Sequence, residues 1–490
     1  MPLNRRFLAV LGLLALSLGT RLGAQTPAPA TIDAVAARID SLASEALYDP
    51  YVAGISVAVV HQGRVVLARG YGLADLGAGL PATDTTPFAI GSVTKQFATA
   101  AALLLAEEGK LSMNDKVAKW YPSLTRAKDI SLGDLVHHVS GYPDYYPLDF
   151  VDRRMAAPTT AEAVIARYAK GPLDFEPGAH WSYSNTGYFI LGRIVERVSG
   201  MPFGTLLERR FFGPLGMTHT RYEPAPGTPG IARGYVSWAL GPLDEAVPEA
   251  KGWTGAAGGI YASAGDLARW DLALMNGKVL KPASWTFMTT PRQLNDGSNS
   301  SYGGGQFLSY VKGWQALDHG GAVSGFLASN TMVPGSHSAV VVLVNSEYFA
   351  SPIALRSTAL GFFLADSAPA AVAMQPPAGS APAKPPVPAV AGMTAGQAAR
   401  MMFKSLQTGT VDRRMLSEEH NFFLSEERLR RAATSLGPLG ESDSVQTGAP
   451  RERGGLEVTS TRFIFPGLVV RGLMYRRPDG TIEEFLVTRQ

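Results

Sequence analysis

Apolar positions recur along this chain with two periods. In "TIDAVAARIDSLASEAL", Ile32, Val35, Ile39 and Leu42 fall three or four apart, the spacing that gives a helix one apolar face. Two strand-like runs follow, "GISVAVVHQG" and "RVVLARGYG", and Gln62-Gly63 between them predicts a hairpin turn. From residue 88 to 109, "FAIGSVTKQFATAAALLLAEEG" becomes a nearly unbroken Ala/Leu run headed by Gly91, Ser92 and Lys95, which predicts a buried helix. Helices and loops then continue to about residue 290. Strand patterns return at 313–319, 325–333 and 338–345, the last reading "SAVVVLVN", and a helix over 353–364 closes the unit. Strands at both ends with helices between predict an α/β (α+β) fold. One mixed sheet is assembled from distant segments, flanked by helices, with an inserted helical lobe.

The two ends of the chain read differently. Residues 1–24, "MPLNRRFLAVLGLLALSLGTRLGA", set Arg5 and Arg6 before an apolar stretch from Phe7 to Leu18 and a small-residue site at 22–24, the pattern of a cleaved export signal. That stretch falls short of the roughly 20 residues a membrane span requires. Residues 367–392, "SAPAAVAMQPPAGSAPAKPPVPAVAG", are too rich in Pro and Ala to build a core and predict a semi-rigid linker. Helical patterns over 394–406 and 425–436, then strands near 456–465, 468–476 and 481–488, predict a small α+β accessory domain over 393–490. No catalytic constellation is visible in it. The organisation is therefore a signal (1–24), a main domain (25–366), a linker and an accessory domain.

Composition narrows the function. With 490 residues, 46% of them hydrophobic, a sizeable core is assured, and with no cysteine neither disulfides, thiolate chemistry nor a lipid anchor at the start can contribute. The formal charge of +3 includes Arg5, Arg6 and Arg21 of the signal, whose removal takes no acidic residue with it. The processed chain is near neutral, so nothing electrostatic points to nucleic acid or an anionic membrane.

Three short constellations carry candidate chemistry. Ser92 and Lys95 lie three apart at the head of the buried helix, hence on one face of it, where an amine can help remove a hydroxyl proton. Ser309-Tyr310-Val311-Lys312 has the same spacing, but in a strand-like stretch where positions three apart point to opposite faces, which makes it a decoy. Tyr183-Ser184-Asn185 sits in a polar turn before a helix; a phenol can move protons and an amide can hold a lysine or a carbonyl. His319-Gly320-Gly321 precedes a late strand, and its glycines allow close backbone approach to a ligand; His61-Gln62-Gly63 repeats the spacing in an evident turn. Each alone is also compatible with a helix cap, a packed tyrosine or a structural histidine.

Their joint order resembles the serine β-lactamase and penicillin-binding-protein superfamily, in its branch of class C β-lactamases, D-stereospecific peptidases and family VIII carboxylesterases. The resemblance extends to "LVHHVSGYPD" (135–144), "PGAHWSYSNTGYFILGRIVERVSGMPF" (177–203), "FFGPLGMTHT" (211–220) and "AAGGIYASAGDLARW" (256–270), in family order. It covers about 35 to 365 and leaves the C-terminal region outside. It implies an acyl-enzyme mechanism with Ser92 as nucleophile and Lys95 and Tyr183 sharing base work, Tyr183 then protonating the leaving group. Asn185 would bind Lys95 or substrate, and His319 and Gly321 would support the substrate. The backbone N–H groups of Ser92 and Ala322 would form the oxyanion hole. No metal or cofactor is implied, and no His-Glu-x-x-His spacing offers a zinc site. The partner would be a small-molecule or peptide substrate.

The departure is at the third segment. Class C β-lactamases carry Lys-Thr-Gly where this chain has His319-Gly320-Gly321. An unperturbed histidine is mostly neutral at pH 7, so a fixed positive charge is lost. That favours ester, amide or D-amino-acid peptide hydrolysis over a class C-like β-lactamase or a penicillin-binding carboxypeptidase. A catalytically silent protein that binds peptidoglycan fragments is the remaining alternative. Other features read as structural: His137-His138 as loop support, "GGG" at 303–305 as a turn, and the scattered Arg pairs as solvated surface. Tyr145-Tyr146 is a candidate for the cleft rim.

Overall fold

The structure is a computed structural model that describes residues 32–146, 148–347, 350–364 and 386–490. Residues 1–24, expected to be an export signal, and the expected linker up to residue 385 lie outside the described residues. The main sheet contains β1 (Gly54–His61), β2 (Arg64–Asp75), β3 (Phe307–Val311), β4 (Trp314–Val323), β5 (Phe326–Val333) and β6 (Ser338–Val344). Around it lie α1 (Ile32–Ala46), α2 (Thr94–Glu107), α3 (Asn185–Ser199), α4 (Ala264–Met275) and α5 (Ala350–Phe363). The strand order is β2-β1-β6-β5-β4-β3, with the short strand Leu80–Pro81 outside β2. Every one of these pairings is antiparallel, so the sheet expected to be mixed is an antiparallel one: tight turns join β1 to β2 and β3 through β6 in succession, and such turns reverse strand direction.

Strands from the two ends of the main domain meet at the centre of this sheet, where β1 pairs β6 from Ile55↔Val344 to Val60↔Ala339. Because side chains alternate along a strand, the pairing creates two apolar faces. Ile55, Val57 and Val59 join Val340, Val342 and Val344 against Val35 and Ile39 of α1 and Leu355 and Ala359 of α5. Ala58, Val60, Val341 and Leu343 face Phe97 of α2 and Leu267 and Trp270 of α4. Burial on both sides explains why "SAVVVLV" is continuously apolar. The first turn of α2 is tightened into a 3₁₀ segment at Gly91–Val93, and the helix behind it is buried on nearly all sides.

The C-terminal region has its own core. α6 (Ala395–Thr408) and α7 (Glu426–Leu436) cover one face of a sheet made of β7 (Ser444–Thr447), β8 (Arg451–Arg453), β9 (Leu456–Phe465), β10 (Leu468–Arg476) and β11 (Ile482–Arg489). Val470, Met474, Phe485 and Val487 pack there with Met402, Phe403 and Leu429. The short strands β7 and β8 have no counterpart in the sequence pattern, since their polar residues carry no alternation. The sheet's other face turns toward the main domain. Leu148 and Phe150 pack on Val458 and Tyr475, the Asp149 N–H donates to Glu484 Oε2 at 2.7 Å, and the Trp238 indole donates to the Arg428 carbonyl at 2.8 Å.

Candidate active site

The turn of Gly91–Val93 and the start of α2 bring Ser92 to the mouth of a cavity of about 600 Å³ and carry Lys95 below it. Lys95 is wholly buried. Its Nζ lies 3.0 Å from Ser92 Oγ, 2.7 Å from Asn185 Oδ1 and 2.8 Å from the Ala257 carbonyl oxygen. Burial outweighs the nearby Asp144 carboxylate and brings its pKa down to about 7, with Arg453 pushing the same way. The amine is thus poised between its two protonation states at neutral pH.

Asn185 is the first residue of α3 and is locked from behind. Its backbone N–H and its Nδ2 each lie 3.0 Å from Asp144 Oδ1, which leaves Oδ1 of the amide turned toward Lys95. The sequence reading did not single out Asp144, although "GYPD" was among the family-like segments. A carboxylate that only orients an amide has no spacing signature of its own.

Tyr183 packs its ring 4.8 Å from Lys95 Nζ and 4.3 Å from the His138 ring. Its hydroxyl is buried with no hydrogen bond of ordinary geometry. Burial pushes the phenol well above its ordinary pKa, while the Ser92 hydroxyl and, more weakly, Arg453 act against that rise. His138 accepts a hydrogen bond at Nδ1 from the Ser184 N–H at 3.1 Å, so it supports the turn that carries Tyr183. Tyr145 and Tyr146 line the cavity. Tyr145 donates to the Trp253 carbonyl, and Tyr146 donates to Glu249 Oε1 at 2.7 Å.

The third segment lies within β4 rather than ahead of it. β3 pairs β4 only as far as Asp318, so His319 to Val323 extend past the end of that neighbour along the cavity. The approach is close. A Cβ on Gly321 would collide with the Ile90 carbonyl oxygen, and one on Gly91, whose φ is +49°, would come within 2.8 Å of the Ala322 nitrogen. The backbone amide of Ala322 therefore stands directly against the turn that presents Ser92. His319 is buried; the Gly320 carbonyl beside its Nδ1 can only accept, which places the single ring proton of the neutral imidazole on Nδ1 and lets Nε2 accept from the Tyr302 hydroxyl at 3.0 Å. Burial and the charge of Lys95 bring its pKa down to about 3, so it is neutral. Ser92, Lys95, Tyr183, Asn185, His319, Gly321 and Ala322 thus converge, while Ser309 and Lys312 do not border this cavity.

The sequence missed the roof. Arg451, Arg453, Arg471, Leu473, Leu486 and Thr488 of the C-terminal sheet line the same cavity as Ser92. They lie on strand positions two apart, on one face of the sheet, and no motif or spacing of chemical residues marks them locally.

Residues 39–365 match the family model described as Beta-lactamase. Among curated proteins, the chain is 30% identical over 288 residues to a putative penicillin-binding protein PbpX of Bacillus subtilis (strain 168), covering 59% of this chain and 69% of that one. It is 29% identical over 319 residues to a D-aminopeptidase of Brucella anthropi, covering 62% of this chain and 59% of that one. Among solved structures, an octameric penicillin-binding protein homologue from Pyrococcus abyssi shares the fold with a TM-score of 0.59 at 20% identity, over 92% of this chain and 99% of that one.

Proposed function

This chain belongs to the beta-lactamase family, and from that premise we propose that it is an exported serine hydrolase that forms an acyl-enzyme on Ser92 and cleaves an ester, an amide or a D-amino-acid peptide. The observation that carries the reading is the placement of Lys95 Nζ. A neutral amine has two N–H donors and one lone pair. The Asn185 and Ala257 carbonyl oxygens can only accept, so they take the two donors and leave the lone pair facing the Ser92 hydroxyl. Lys95 is then the base that receives the Ser92 proton as Oγ attacks the carbonyl carbon.

Tyr183, kept as a phenol by burial, gives its proton to the departing oxygen or nitrogen and regains one from Lys95. A water then attacks the acyl ester by the reverse route. The oxyanion of each tetrahedral intermediate is received by the N–H groups of Ser92 and Ala322, donors worth roughly 3 kcal/mol each. His319 contributes shape and no charge. The D-aminopeptidase likeness supports a D-amino-acid substrate.

Incubation of the full chain with a fluorophosphonate should add covalent mass to the peptide containing Ser92. Hydrolysis of p-nitrophenyl acetate or a D-alanyl p-nitroanilide should rise with pH through about 7, as Lys95 loses its proton, and then level. No label at Ser92, or activity that falls across that range, would overturn the reading. Nitrocefin turned over far faster than the ester would shift the substrate to β-lactams.

A further inference from the structure

The C-terminal sheet covers the catalytic cavity with one face, and that face is basic. In its antiparallel register Arg471 stands opposite Thr488 and Leu473 opposite Leu486, so all four share the surface that lines the cavity. Arg451 and Arg453 reach it from β8. We propose that this sheet is the substrate-recognition wall of the enzyme, and that Arg451 and Arg471 bind a carboxylate carried by the substrate. The charge absent at His319 is thereby restored from a different part of the chain.

The pairing of charges within the cavity decides between wall and cement. Asp149 is occupied: it lies 3.2 Å from Arg453 Nη1 and accepts from Tyr475 Oη at 3.1 Å. Glu249 accepts from the Tyr146 hydroxyl and, at 3.0 Å, from the Ser324 N–H. Glu347 accepts from the Gly325 N–H at 2.8 Å, and burial lifts its pKa to about 8, so it is largely uncharged at neutral pH. Arg356 faces Asp318 at 3.9 Å.

Arg453 is structural cement, tied to Asp149, to Tyr475 Oη at 2.7 Å and to the Tyr146 carbonyl. Among the described residues Arg471 hydrogen-bonds through its Nε alone, 3.0 Å from Ser460 Oγ. Neither Arg451 nor Arg471 has a carboxylate partner among the described residues. Two guanidinium groups thus border the cavity with unspent donors, and each presents the planar fork of N–H groups that suits a carboxylate.

This inference rests on the serine-hydrolase reading, and the experiment separates the two. Two matched probe pairs differ by one carboxylate: N-acetyl-D-alanyl thioglycolate against its carboxamide, and p-nitrophenyl hydrogen glutarate against p-nitrophenyl butyrate. The expected result is that wild type prefers the anionic member of at least one pair. Replacing both arginines, Arg451→Gln with Arg471→Gln, should cut that preference in kcat/KM by about tenfold or more, mostly through KM, and the double Lys variant should restore part of it. No preference in either pair, or a preference unmoved by the Gln pair, would overturn the proposal. Fluorophosphonate labelling of Ser92 is measured in the same preparations. Label with an unmoved preference sinks only the recognition wall, whereas no label in wild type sinks the hydrolase reading itself.

Discussion

Ser92 and Lys95 share their spacing with Ser309 and Lys312, and the chain puts the two pairs in opposite surroundings. The first pair opens a helix, where three residues make nearly one turn, and Nζ and Oγ come within 3.0 Å. The second straddles the end of β3. There Ser309 donates to Asp318 Oδ2 at 3.0 Å while Lys312, exposed at the turn with φ +50°, reaches back to the Gly361 carbonyl at 3.4 Å. Backbone period decides whether the pair meets at all. Burial then decides what the amine is: Lys95 has lost its water, and its pKa falls to about 7. The His-x-Gly pair repeats the lesson. Gly321 lies under the Ile90 carbonyl, whereas Gly63, in the hairpin turn at φ +77°, has nothing within 4 Å of its would-be Cβ.

The largest expected effect that tests this contrast is Ser92→Ala, which should lower hydrolysis of p-nitrophenyl acetate by roughly 10⁴-fold or more, since the nucleophile itself is removed. Comparable turnover in Ser92→Ala and Ser309→Ala would break the comparison. Tyr183→Phe removes one hydroxyl with little change of shape and should cost roughly 10²–10⁴-fold in kcat; intact kcat would take Tyr183 out of proton transfer.

Gly321→Ala forces a methyl group into backbone and should destabilise by roughly 1–3 kcal/mol in addition to its loss of activity. Gly63→Ala meets only the backbone penalty of a positive φ, about 1–2 kcal/mol, with activity retained. Thermal melts beside rate assays separate these two; equal loss of activity in both would show that the close approach at Gly321 is unimportant. The smallest effect is expected for Lys312→Gln, within about 0.5 kcal/mol of wild type and with unchanged rates, as for an exposed side chain with one long hydrogen bond.

Much of the fold was legible because its signals are local. The hairpin at Gln62-Gly63, the twofold buried β6 and the helix behind Lys95 each follow from period and composition alone. The candidate site was legible in its residues but not in its chemistry. Asp144 orients Asn185 from 41 positions away, and His138 buttresses Tyr183 through ring contact rather than through any motif. The roof was not legible at all: Arg451 and Arg471 look like solvated charges until the sheet that bears them is folded onto the cavity.

By itself, the order of residues determined which segments become helix or strand and which side chains are chemically able to act, because dihedral preference and apolar period act over a few neighbours. Only the tertiary structure decided the protonation of Lys95, the neutrality of His319 and the charge of the cavity wall. Desolvation and Coulomb interaction depend on distance in space, and they sum over groups that the chain brings together from hundreds of residues apart.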